Sequence, residues 1–524
     1  MKKITPEQLA SEIMAFYNEY DLRIAGKIND QTAYQLIETI EQKFKTDSLR
    51  LSDGTKIWNL MRVFLYSNFQ KLGEQTINKK LSKTSIKSVI SLFKESFIPL
   101  RLPKNITVCG FSSGESRKLY KDTYYDIYLD PLYEILGDNL AVFEWPETSG
   151  YRRKYDHPIF SRYHVPMHVP LWSKTFWNLL FNRFTGRKNI TLESEDVLQD
   201  IIEYISTTAS VDKDKLTSDI YDFITVFTHI KHFLYNILKK IKPKAVLIRC
   251  GYGRFPMALS QACRELGIPP IELQHGLITA YLPAYRRATP TTNKDCIPEY
   301  LLTHGEIYAE MVRNGNLFDA DKVISTGYPY LQRTLMERKT LPALKQSFSP
   351  FPHNILFTSQ WIIAKDIQGY ILKVAEQFAK HNMDVGILFK PHPYDKNDYS
   401  GLKQNKHIIL IDKYDDIFTL FNIADIHSTV YSTSGLEAMA FGTPNIFIDI
   451  YSLTKDNRTS YITTTPAQFV NTVKTILSHY QDSIVEAKAI ADLFFTKNPE
   501  KHFEKFFTDL GINQKISVRE KVYR

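Results

Sequence analysis

Cysteine is scarce in this 524-residue chain, and the four residues present, at 109, 250, 263 and 296, form no C-x-x-C pair. That excludes a disulfide-stapled scaffold and a cysteine-built zinc site, and it suits a reducing compartment. Glycine is also sparse, at 21 residues, and no internal repeat or low-complexity tract occurs, so collagen-like and linker-rich architectures are excluded. No uncharged apolar run approaches the roughly 18 residues of a membrane span. The start, Met1-Lys2-Lys3-Ile4-Thr5, is followed by no apolar stretch and does not read as a signal peptide. Neither sign of charge dominates: 66 Lys and Arg against 57 Asp and Glu leave +9. No basic block is interleaved with aromatics, so nucleic acid is not an expected partner. A cytoplasmic location is expected. The basic excess would also suit peripheral contact with the anionic inner face of a membrane, although ordinary solubility is the favoured account of it.

What is present is apolar and aromatic material for a large core: 43% hydrophobic residues, with 32 Phe and 31 Tyr. The length suits two or more domains. Residues 1–103 read as a helical N-terminal segment, with apolar positions three and four apart at Leu9, Ile13, Phe16 and Tyr17, and again at Ile57, Leu60, Val63 and Phe64. From 104 to 335 short β-branched runs alternate with helical patterns, as in the strand 245–250, the helix 256–266 stopped by Gly267, and the strand 270–274. The segment 335–353, with Pro342, Pro350 and Pro352, reads as a linker. A second alternating series fills 354–480, and 481–524 reads as a C-terminal helical tail. Alternation through short loops implies parallel sheets. The expected fold class is therefore α/β, with two Rossmann-like domains facing a cleft and ligands bound at the carboxyl ends of the strands.

Three segments fall at such strand ends. In Gln274-His275-Gly276 a strand delivers a histidine to its tip, where an imidazole can act as a base near neutral pH. A lone histidine in that position is more often a structural hydrogen-bonder. In Lys390-Pro391-His392-Pro393 the prolines stiffen the loop that carries His392, and Lys390 adds a charge suited to phosphate oxygens. In Ser428 to Pro444, Ser432, Thr433, Ser434 and Gly435 lead into a helix whose free N–H groups can receive an anion, and Glu437 can accept from a ribose diol. A plain Ser/Thr helix cap is the simpler alternative there. Arg249 and Arg254, around a Gly251-Tyr252-Gly253 turn, are candidate anion ligands, and His304 sits at the next strand tip. No D-x-D motif stands where one would hold Mg²⁺, and Asp415-Asp416 reads as a helix cap, so metal independence is the default expectation.

The order and spacing of these segments resemble the GT-B glycosyltransferase superfamily, over roughly residues 240–480. The Ser428–Pro444 segment is similar to the donor-wrapping segment of nucleotide-sugar enzymes, including the UDP-N-acetylglucosamine 2-epimerases. H-G followed later by K-P-H-P resembles the bacterial surface-polysaccharide branch: capsule and lipopolysaccharide Kdo- and sialic-acid-type transferases, and CDP-glycerol glycerophosphotransferases. The resemblance implies donor binding by Lys390, His392, Ser432, Thr433, Ser434, Gly435 and Glu437, with His275 as the catalytic candidate. Glu115, in Ser113-Gly114-Glu115-Ser116, stands nearest to the acidic acceptor-base motif of bacterial sialyltransferases. The leading expectation is a metal-independent, inverting glycosyltransferase that passes a sugar from a nucleotide-sugar, a substrate rather than a cofactor, to a glycan or lipid-linked glycan of the bacterial surface. The alternatives are a teichoic-acid-type CDP-polyol phosphotransferase, a nucleotide-sugar 2-epimerase, or a catalytically silent scaffold of a polysaccharide assembly complex.

Overall fold

Two parallel sheets dominate the computed structural model, which describes residues 30–70, 102–113, 116–120, 123–145, 164–166, 190–337, 348–360, 363–392, 395–413, 415–430, 432–449 and 461–512. The first sheet takes β1 (Val108–Ser113), β2 (Leu140–Trp145), β3 (His164–Pro166), β4 (Ala245–Ile248), β5 (Pro270–Leu273), β6 (Tyr300–Thr303) and β7 (Val323–Ser325). Their spatial order is β7-β6-β5-β4-β1-β2-β3, and every pairing is parallel. The second takes β8 (His353–Thr358), β9 (Val385–Lys390), β10 (Ile408–Leu410), β11 (Ile426–Thr429), β12 (Asn445–Ile448) and β13 (Ile462–Thr463), ordered β10-β9-β8-β11-β12-β13, again all parallel. These are the two Rossmann-like domains of a GT-B-like fold. In each, the winding reverses once, beside β1 and β4 in the first sheet and beside β8 and β11 in the second. Such reversals open a crevice at the carboxyl ends of the strands.

The strands form where they do because both faces are covered. β4, β5, β9, β11 and β12 are buried at every position, and apart from Glu272, Lys390, His427 and Asn445 they carry apolar or small residues. The 29-residue helix Lys213–Ile241 starts where the Asp212 carboxylate accepts from the Lys215 N–H at 2.7 Å, and it ends with Lys239 and Lys240 at the negative pole of its dipole. Its stripe of Leu216, Ile220, Phe223, Phe227 and Leu234 is buried.

The described part of the N-terminal segment, helices Asp30–Lys43 and Trp58–Gln70, packs on that long helix, with Phe64 stacked on Phe223 at 4.1 Å. The periodic positions Ile57, Leu60, Val63 and Phe64 are all buried. The pattern at 9–17 and most of the linker reading, at 338–347, lie outside the described residues. A buried ion pair ties this segment to the chain beyond His275. Glu41 accepts from Arg62 Nε at 2.6 Å and from the Ala288 N–H at 3.1 Å, and Arg62 also donates to the carbonyls of Pro283 and Arg286. Arg287 reaches Asp47 at 3.0 Å.

The helices beyond 478 return to the first domain. Helix Tyr480–Phe494 runs to β6, where the Thr496 N–H donates to the His304 carbonyl at 2.8 Å. Gly305 lets the backbones touch there: a Cβ would sit 2.2 Å from the Phe494 carbonyl oxygen. Helix Pro499–Asp509 then lays Phe503, Phe506 and Phe507 against Val108, Leu140, Leu247 and Leu302, closing one face of the first sheet. No helix among the described residues is long and apolar enough to cross a membrane.

Candidate functional site

On the first-domain side, β5 ends one residue before Gln274 and delivers His275 to the crevice. Tyr128 donates its hydroxyl to the His275 carbonyl at 2.9 Å, and the Tyr252 hydroxyl lies 3.3 Å from Nε2. Nδ1 is buried and has no hydrogen-bond partner among the described residues. Burial, with Arg249 and His304 nearby, holds the imidazole down at about 3, so it is neutral at pH 7. Arg249 follows β4, donates to the Ser113 hydroxyl at 2.7 Å and lies over the Tyr128 ring. From there a stack runs along the wall: Tyr128 on Tyr328 at 5.9 Å, then Tyr328 on His304 at 4.4 Å. His304 is buried and held near 3 by desolvation, and its role in the wall is aromatic.

Behind this wall, Glu272 of β5 is buried. Tyr285 donates to it at 2.6 Å and the Gly251 N–H also bonds it, yet burial pushes its carboxyl up to about 7. Gly251 is required for that approach, since a Cβ would fall 2.2 Å from Glu272 Oε2. Arg254 is the first residue of helix Arg254–Glu265, buried, with its guanidinium over Phe223. That position is in the helix layer behind the sheet, so the structure separates it from Arg249. Glu115 lies outside the described residues; its neighbours Ser113 and Ser116 are at the end of β1 and the start of the hairpin Arg117–Tyr120/Thr123–Asp126. The buried Arg117–Glu144 pair, at 2.7 Å, fastens that hairpin to β2.

On the second-domain side, β9 and β11 flank β8, which brings the Lys390 loop and the Ser432 loop to either side of one strand end. Lys390 is buried, and its Nζ donates to the Lys413 carbonyl at 2.7 Å and the Asp412 carbonyl at 3.3 Å. Burial, then the charge of Lys118, lowers its ammonium to about 8, against the pull of Asp415, Asp412 and Asp416. The ammonium therefore secures the turn beside the crevice. His392 is half-buried beside it, its carbonyl accepting from the Asp395 N–H at 2.8 Å; Pro393 lies outside the described residues. Asp416 caps helix Ile417–Ile423 through the Thr419 N–H, as its sequence context suggests.

Ser432 is the N-cap of helix Thr433–Ala440, accepting from the Ser434 N–H at 3.2 Å. Ser434 is buried in a polar chain: its Oγ is 3.0 Å from Thr358 Oγ1, which is 3.1 Å from His427 Nε2, while Nδ1 is 2.6 Å from Asn445 Oδ1. Gly435 faces β12, where a Cβ would meet Phe447 at 2.7 Å and Asn445 at 2.9 Å. Glu437, one turn along, is bonded by Thr433 and drawn down by Lys118, but burial still pushes its carboxyl up to about 7. It faces the first domain. The Tyr128 and Tyr328 phenols, raised first by burial, are raised further by Glu437, and beneath them Tyr330 meets Phe418 edge-on at 5.3 Å. Residues expected in the donor site and His275 thus belong to the two walls of one crevice.

Among the described residues no group of three or more His, Cys, Asp or Glu is placed to hold a metal ion. Tyr128, Tyr252, Tyr328, Glu272 and Lys118 were not singled out by the sequence. The tyrosines carry no local motif, and only the buried glutamate inside an otherwise apolar strand gave a signal.

Residues 282–494 match the CDP-Glycerol:Poly(glycerophosphate) glycerophosphotransferase family model. The match takes in β6, β7 and the whole second sheet, and it begins beyond His275. Similar solved structures include UDP-GlcNAc 2-epimerase from Neisseria meningitidis bound to UDP-GlcNAc, with TM-score 0.47 and 16% identity over 77% of this chain and 99% of that one. They also include the S. aureus MnaA–UDP structure (0.48, 12%, 78% and 99%) and the wall teichoic acid polymerase TagF with CDPG (0.43, 12%, 81% and 97%). No curated protein matches the chain. The description of that family corresponds to the CDP-polyol alternative rather than to the sugar transfer that the sequence reading put first.

Proposed function

We propose that this chain transfers a glycerol phosphate, or a close polyol relative, from a CDP-linked donor to a hydroxyl of a surface polymer. The observation that carries the reading is the family match over 282–494, because it spans the crevice wall that holds Lys390, His392 and Ser432 to Glu437. In this reaction the acceptor oxygen forms a bond to the donor's distal phosphorus and the bond to the bridging oxygen breaks. CMP leaves with that electron pair. The hydroxyl proton ends on the CMP phosphate, whose second pKa is about 6, or in solution. Phosphoryl transfer of this kind asks mainly for positioning and charge stabilisation. His392 and the N–H groups at the start of helix Thr433–Ala440 supply donors for the pyrophosphate, with Arg249 a cation on the opposite wall. Lys390 holds the 412–413 turn that shapes the site, Glu437 receives the ribose diol, and His275 approaches the transferred group from the first domain.

The test is CMP release and polymer growth with CDP-glycerol, CDP-ribitol and UDP-GlcNAc offered separately to a glycerol-phosphate-terminated acceptor. Turnover of a CDP-polyol supports the proposal. Turnover of the UDP-sugar alone would return the assignment to a glycosyltransferase, and nucleotide binding without any turnover would return it to a scaffold.

A further inference from the structure

His275 is neutral in its buried setting, so one ring nitrogen carries a proton and the other a lone pair. Two arrangements fit the geometry. In the first, the Tyr252 hydroxyl donates to Nε2 and Nδ1 carries the proton. In the second, Nε2–H donates to the Tyr252 oxygen. The phenol of Tyr252 keeps its proton at any ordinary pH, since burial raises it far above its usual range. Among the described residues the contact with Nε2 is the one hydrogen bond of that hydroxyl. The second arrangement therefore leaves the phenol O–H without a protein acceptor and the buried Nδ1 lone pair without a donor. The first leaves a single unmatched group, the Nδ1–H. Each unmatched buried polar group is costly, so the first arrangement is favoured.

We propose that Tyr252 is a positioning residue that fixes His275 as the Nδ1–H tautomer, so that the imidazole meets a bound phosphate as a hydrogen-bond donor. The proposal rests on the reading that places His275 beside the transferred group. It changes the role expected of that histidine, because with Nε2 occupied by Tyr252 and Nδ1 carrying a proton, no lone pair is open to take one from the acceptor hydroxyl. The unmatched Nδ1–H instead finds its acceptor when a phosphoryl oxygen arrives. The Tyr128 bond to the His275 carbonyl fixes the backbone from the opposite side, and Tyr285 sets Tyr252 from behind with an edge contact at 5.8 Å. The ring is thus oriented before any ligand enters.

The protein labelled with ¹⁵N-histidine reports the tautomer directly, with the His275 signals identified by their loss in His275→Gln. The expected wild-type spectrum has a protonated Nδ1 and an unprotonated Nε2, and in Tyr252→Phe the Nε2–H form gains population. A wild-type Nε2–H tautomer overturns the proposal, and so does a Tyr252→Phe spectrum identical to wild type. With CDP-glycerol, His275→Gln is expected to lower kcat by about 10²-fold or more. Tyr252→Phe should lower it by about tenfold with KM within about twofold, the scale of one lost hydrogen bond. If wild type releases no CMP from CDP-glycerol, the functional reading fails while the spectrum still decides the tautomer.

Discussion

Replacing Glu272 by Gln should change how the stability of this protein depends on pH, in a direction opposite to ordinary acid denaturation. The carboxyl is buried within β5, and its value in the fold is pushed up to about 7 from 4.5 by burial, with Tyr285 and the Gly251 N–H as partial compensation. Between those two values the folded chain holds a proton that the unfolded chain has released. Stability from this group is therefore fully present below about pH 4.5 and is lost as pH rises through 7. At pH 5 the loss is under about 1 kcal/mol and at pH 8 about 3.3, so the interval costs roughly 2.5 kcal/mol, from 1.36 kcal/mol per unit. Glutamine carries no such dependence. Urea denaturation of both proteins at pH 5 and pH 8 should show the difference between them moving by about that amount in favour of Glu272→Gln on going to pH 8. Glu437, shifted in the same sense, is present in both proteins and cancels in the comparison. A difference that stays constant across the interval would refute the reasoning, since it would mean that the carboxyl titrates alike in both states.

His392→Ala should lower kcat/KM for the CDP-linked donor by about 10²-fold or more while the melting temperature stays within a few degrees, because the side chain is half-buried on a loop; unchanged kinetics would remove it from the site. Gly435→Ala should cost about 1–3 kcal/mol and weaken CDP binding in calorimetry, since the added methyl presses on Phe447 at 2.7 Å and tilts the helix start; a variant as stable as wild type with unaltered affinity would contradict this. Arg62→Ala should cost about 3–5 kcal/mol in denaturation, because the buried Glu41 loses its close cation and keeps only Arg287 at 3.9 Å, and the carbonyls of Pro283 and Arg286 lose their donor; a loss below about 1 kcal/mol would show that the pair is dispensable.

The two sheets were legible because parallel strands covered on both faces leave continuous apolar runs, and β4, β5, β8 and β9 stand where those runs predict them. Sequence could also place His275, His392 and the Ser432 loop at strand ends. It could not show what each side chain touches. Lys390 meets carbonyls from a turn 22 residues away, and Arg254, read as an anion ligand, is the buried first residue of a helix against Phe223. Gly435, read as part of an anion loop, also provides close packing against β12. The tyrosine wall escaped notice for a different reason: Tyr128, Tyr252 and Tyr328 come from distant segments among 31 tyrosines, and only the winding of the first sheet gathers them. The helix Pro499–Asp509 read as part of a tail because an amphipathic helix does not disclose which surface its apolar stripe meets.

That last helix has a bearing on how the chain acquires its shape. Phe503, Phe506, Phe507 and Ile512 share a cluster with Val108, Leu140 and Ala245, so one flank of the first sheet is built from residues some 260 to 400 positions apart. A ribosome releases all seven strands of the first sheet, from Val108 to Ser325, before the stretch that seals them exists. The early domain must wait, partly uncovered, until the later one has been made and crossed, which exposes apolar surface to aggregation and makes the final docking of two short helices a slow, committing step.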